Sequence, residues 1–131
     1  MNSVKDFRSI PDDLVVRLNI LPHKEQRNDT EGDWLWAGST LEVRISGEVG
    51  DDDPRYGLLM FVHELIEALL CRSMGVTAAQ VDAFDMLHQR DGEPGEISSA
   101  PYHRQHMAAQ AAERALADEL GVDWGRYLRR G

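Results

Sequence analysis

His63, Glu64 and Glu67 stand together in DDDPRYGLLMFVHELIEALLCRSM, Asp51 to Met74, a stretch whose middle is otherwise apolar. On a helix, residues four apart lie one above the other, so His63 and Glu67 share a face with Glu64 alongside. An imidazole and a carboxylate so placed can grip one metal ion, and the neighbouring carboxylate can take a proton from water. The HExxH pattern does this with a second histidine where this chain has Glu67. Two ionised carboxylates in apolar surroundings cost on the order of several kcal/mol unless cations or donors meet them.

Further ligands are sought downstream. His103, His106, Gln110 and Glu113 recur at helical spacing and form one polar stripe. His106, a full turn inside its helix, is the first choice for a third ligand, with His103 and Asp85 as the others. Glu113 suits either direct ligation or a hydrogen bond to the outer nitrogen of a ligating histidine. Cys71, one turn past Glu67, is a soft ligand or simply a small buried residue.

The elements that must position these groups follow from period and punctuation. Asp53 as N-cap, Pro54 at the first helical position, Arg72 in the last turn and Gly75 beyond it delimit a central helix. Its apolar residues fall on nearly every side, so the rest of the protein is expected to wrap it. Before it, Leu14 to Leu21 and Trp34 to Ser46 alternate with period two, predicting two antiparallel strands, with Trp34 and Trp36 as core. The charged segment between them, HKEQRNDTEGD, reads as a long, mobile loop. Met1 to Pro11 is a polar lead-in with Phe7 and Ile10 as anchors. After Gly75, Thr77 and Gln80 spell a capping box for a second helix to about Gln89, with Val81, Phe84 and Leu87 or His88 inward. DGEPGEISSAP is a loop, Pro101 to Leu120 the third helix, its alanines allowing close approach to a neighbour, and Asp123 caps a final turn.

At 131 residues the chain makes one α+β domain: short N-terminal strands, then three main helices with the first central and buried. A net charge of −9 argues against nucleic acid as a partner. A single cysteine argues against a disulfide scaffold. No stretch is long and apolar enough for a membrane span, and the cytoplasm is the expected address. Composition leaves the oligomeric state open.

The segment VHELIEALLCRSMGV resembles the active helix of small zincin-like proteins of bacteriophage and prophage genomes. HELIEALLC, VDAFD, APYHRQH and AAERALADELGVDW in that order also resemble a group of uncharacterised phage-type proteins. The likeness covers roughly residues 13 to 127. It implies a divalent metal, zinc first, held by His63 and Glu67 with Glu64 as general base, and a small-molecule or peptide substrate. Glu67 in place of a histidine is a harder ligand and opens the choice to manganese, iron or magnesium. Two other classes remain. Glu64, Glu67, Asp82 and Asp85 spell ExxE then DxxD, resembling the magnesium site of all-α nucleotide pyrophosphohydrolases of the MazG kind. The third class is a non-catalytic phage accessory or interaction protein with a structural metal or a buried polar network.

Overall fold

The computed structural model describes residues 10–130. Three strands, β1 (Val15–Leu21), β2 (Gly32–Ala37) and β3 (Thr40–Ser46), form a sheet in the order β1-β3-β2. Four helices follow: α1 (Arg55–Ser73), α2 (Ala78–His88), α3 (His103–Leu120) and the short α4 (Trp124–Leu128). This is the α+β class expected.

The sheet differs from expectation in detail. Trp34 to Ser46 is a hairpin rather than one strand, folded at Gly38, whose φ of 61° suits the first central position of a two-residue II′ turn. β1 pairs with β3 in parallel, and only β2 and β3 are antiparallel. The tight turn makes β2 and β3 neighbours, and the strand with the strictest apolar alternation takes the centre. Leu41, Val43 and Ile45 of β3 are at most 1% exposed. Leu21 pairs with Ser46 and Gly32 with Ile45, so the intervening segment crosses over the end of β3.

That segment, expected to be mobile, is tied down. The His23 backbone N–H donates to the Glu48 carboxylate at 2.9 Å, and the His23 ring lies 2.7 Å from both Ser46 Oγ and Asp29 Oδ1. Arg27 forks between Asp33 of β2 (2.6 Å) and Asp82 of α2 (2.9 Å). Phe7 lies outside the described residues, and Ile10 is exposed.

α1 starts one residue later than its sequence predicts, with Pro54 rather than Asp53 at the N-cap; Asp53 Oδ1 still accepts from the Arg55 N–H at 3.0 Å, and the chain turns away at Gly75 with φ 76°. Its buried residues, Tyr56, Leu59, Met60, His63, Glu67, Ala68 and Cys71, form one stripe against α3 and the sheet. The wrapping is incomplete: Leu58 is exposed on the opposite side. Ala109 and Ala117 of α3 are fully buried, and their small side chains let α3 approach closely. The capping box of α2 forms in both directions. Val81 and Phe84 face inward with His88 stacked on Phe84, while Leu87 points to solvent. Asp123 caps α4 and turns Tyr127 into the core against Tyr56. No helix among the described residues is long and apolar enough to cross a membrane.

Candidate metal centre

Close packing of α1 on α3 brings two helical stripes face to face. His63 and Glu67, one turn apart on α1, meet His106 of α3, and all three are buried. His63 Nε2 lies 3.2 Å from Glu67 Oε2 and 3.2 Å from His106 Nδ1, and His106 Nδ1 lies 3.1 Å from Glu67 Oε2. Three ligand atoms converge as a nearly equilateral triangle. Ligands about 2.0–2.1 Å from a tetrahedral zinc are separated by about 3.3 Å, so the triangle fits such an ion with little adjustment. Among the described residues, these three form the group of histidine, cysteine and carboxylate side chains whose atoms lie close enough together to hold a metal ion.

A second ring of groups sets the direction of the first. Glu113, two turns beyond His106 on α3, places Oε1 2.9 Å from His63 Nδ1 and accepts a hydrogen bond from the Tyr127 hydroxyl on its other oxygen. A proton on Nδ1 turns the lone pair of Nε2 toward Glu67 and His106. Glu67 is braced likewise: Trp34 Nε1 donates to its Oε1 at 3.0 Å, leaving Oε2 for the triangle.

Three acceptor atoms cannot face one another across a dry gap without positive charge among them. In the protein alone a proton fills that role. Burial works against protonation of His63, but its hydrogen bonds to Glu113 and Glu67 prevail and push its pKa up to about 11. Burial likewise opposes ionisation of Glu67, yet hydrogen bonds to His106, His63 and Trp34 hold its carboxyl at about 2. The three side chains could hold a metal ion, and in the protein alone a proton on His63 takes that place.

The triangle opens on a cleft of about 500 Å³. Glu64 lines it, folded over the backbone of β2 so closely that a Cβ on Gly32 would lie 3.0 Å from its carboxyl carbon. Burial, then the charge of Glu67, raises the Glu64 carboxyl well above its ordinary value. A carboxyl so raised holds a proton more readily than one in water, which suits a group that accepts and returns protons. Glu31, Glu93 and Glu96 also line the cleft, and its one arginine, Arg130, is paired with Glu31 at 3.1 Å.

His103 and Asp85 lie outside the triangle. His103 Nδ1 donates to the Gly95 carbonyl at 2.9 Å. Asp85 stands on the cleft wall and accepts from the Tyr102 hydroxyl, its carboxyl pushed up to about 6 by burial. Asp82 is committed to Arg27. The four carboxylates of ExxE and DxxD line one small cavity beside the cleft, and of the four only Glu67 belongs, among the described residues, to a group whose atoms lie close enough together to hold a metal ion directly. Cys71 is fully buried, and burial raises its thiol.

Several contributors have no periodic signature in the sequence. Trp34 is core, as expected, and also the donor that orients Glu67. Gly95 roofs His106: a Cβ there would come within 2.4 Å of the imidazole Cγ. Glu93, in the same loop, lines the cleft, and the charges of His106 and His63 partly offset the rise in its pKa that burial causes. The Pro-Gly dipeptide marked a turn but gave no hint that it covers a histidine. Comparison with family models, with curated proteins and with solved structures returns no match for this chain.

Proposed function

We propose that the protein is a metal-dependent hydrolase that binds one zinc ion through His63 Nε2, Glu67 Oε2 and His106 Nδ1. The observation that carries this reading is the triangle of converging ligand atoms with an acceptor, Glu113, already on the outer nitrogen of His63. A zinc ion there would supply Lewis acidity, polarising a carbonyl oxygen and making water a stronger acid. Glu64 is the base: it takes one proton as water oxygen bonds to the carbonyl carbon, then returns it to the departing nitrogen as the C–N bond breaks. Manganese or iron would suit the donor set nearly as well.

The acidic cleft disfavours phosphorylated substrates and suits neutral or cationic amides and peptides, in keeping with the overall negative charge. A cytoplasmic address, the absence of nucleic acid among its partners and a phage or prophage origin belong to the same proposal, resting on charge, cysteine content and the HELIE resemblance. The second reading is a structural metal centre in a non-catalytic protein, favoured by the burial of all three ligand side chains. Metal analysis of tag-free protein tests the site. One zinc per chain, lost in His63→Ala and in His106→Ala, is expected, whereas no metal in the wild type overturns it. Hydrolysis of a peptide and amide panel that is lost in Glu64→Gln, with zinc retained, separates enzyme from structural centre.

A further inference from the structure

Among the described residues the sheet ends on β1, and β1 is unlike an ordinary edge. By register, Val16, Leu18 and Ile20 share a face with Leu41, Val43 and Ile45, the core face of the sheet. Their β3 neighbours are sealed, yet these three remain 38%, 42% and 61% exposed, because the core face extends beyond the helices that cover it. Natural edges are commonly blunted by proline, inward charge or a bulge. β1 has seven residues, no proline and one charged side chain, Arg17.

Its backbone points the same way. The Val15 N–H donates to the Ser39 carbonyl of the β2–β3 turn at 3.1 Å, so Val15, Arg17, Asn19 and Leu21 direct their main-chain groups toward β3. Alternation then sends those of Val16, Leu18 and Ile20 outward. Val16, Leu18 and Ile20, which carry the exposed apolar side chains of the core face, are thus the residues whose N–H and C=O groups point away from β3, with no backbone partner among the described residues.

We infer that β1 docks edge to edge on β1 of a second copy, antiparallel about a twofold axis at Leu18, joining two three-stranded sheets into one of six. In that register Leu18 meets Leu18, Val16 meets Ile20, and the outward backbone groups of all three are paired. Charge selects the same register. Arg17 falls opposite Asn19 of the second copy, whereas a twofold at Arg17 would set the two guanidinium groups against each other. The exposed Asp12 and Asp13 ahead of the strand approach the exposed Lys24 that follows it in the other copy. The apolar strip is smaller than the roughly 800 Å² per partner of a standard interface, so the dimer forms and dissociates with concentration.

Sedimentation of the full, tag-free chain from about 1 µM to about 1 mM spans the range in which such an interface assembles. Reversible dimerisation is expected. Leu18→Lys should weaken it about tenfold or more without changing the melting temperature of the monomer, since the side chain is already half-exposed. Asn19→Asp should tighten the dimer severalfold and Asn19→Arg should loosen it, because each change acts opposite Arg17. A monomer throughout the range overturns the inference. So does a shift in the same direction for both Asn19 variants, or a monomer whose Val16, Leu18 and Ile20 amides are protected from hydrogen exchange by another part of the chain.

Discussion

Glu113 Oε1 lies 2.9 Å from His63 Nδ1 and thereby decides which nitrogen of that ring faces Glu67 and His106. The contact links residues 50 positions apart and joins the two helices at the level of the triangle. An imidazole free to adopt either tautomer would offer its lone pair to the triangle only part of the time. The carboxylate removes that choice: when the imidazolium gives up one proton, Glu113 keeps the other on Nδ1 and the lone pair is left on Nε2.

Glu113→Gln should therefore weaken zinc binding about 10- to 100-fold while leaving the fold intact, the usual effect of losing the partner behind a ligating histidine. Competition with a chromophoric chelator measures it. An unchanged dissociation constant would remove Glu113 from the centre.

Trp34→Phe keeps the ring in the core and deletes the donor to Glu67 Oε1. A buried carboxylate oxygen left without its hydrogen bond should destabilise the metal-free protein by about 1–3 kcal/mol, read from urea denaturation. Stability equal to wild type would mean that Glu67 finds another donor.

Gly95→Ala places a methyl group where the His106 ring now lies. The loop or the ring must shift, and the triangle opens. Zinc affinity should fall at least about tenfold, with the cobalt-substituted protein losing its tetrahedral visible spectrum. Retention of that spectrum would show that the roof yields without disturbing the histidine.

Asp85 supplies a pH signature. Its carboxyl sits at about 6 in the folded protein against 3.8 unfolded, so the folded state holds its proton over that interval while the unfolded state has lost it. Stability from this group is complete below pH 4 and disappears as pH rises through 6. The full displacement corresponds to about 3 kcal/mol, and partial exposure reduces this to about 1–2 kcal/mol. Urea titrations at pH 4 and pH 7 should show that difference in wild type minus Asp85→Asn. The difference should carry the stated sign; the opposite sign would contradict the buried setting of Asp85.

The parts of this arrangement that were legible in the sequence are those with a period. His63 and Glu67 at i and i+4, the stripe running from His106 to Glu113, and the Thr77 and Gln80 box each depend on neighbours within two helical turns. Period also limits what can be read. Alternation in β1 and β3 says that both are strands but not that they run parallel, since their pairing is set by a hairpin between β2 and β3 that the run Trp34 to Ser46 conceals until Gly38 is read as a turn. The donors that finish the site, Trp34 to Glu67 and Tyr127 to Glu113, join different elements across the core. Nothing local distinguishes these aromatics from ordinary packing. His103, His106 and Asp85 all satisfied the pattern for a third ligand, and only helix placement separates them.

Because the indole of Trp34 keeps one oxygen of Glu67 engaged, that carboxylate reaches the triangle with a single tooth. Calcium, which gathers six to eight oxygens and often takes a carboxylate by both, is poorly served by two imidazoles and one oxygen. Small ions content with four partners are well served. A metal bound there would thus be selected partly by a tryptophan on the first hairpin, a residue that need never touch the ion.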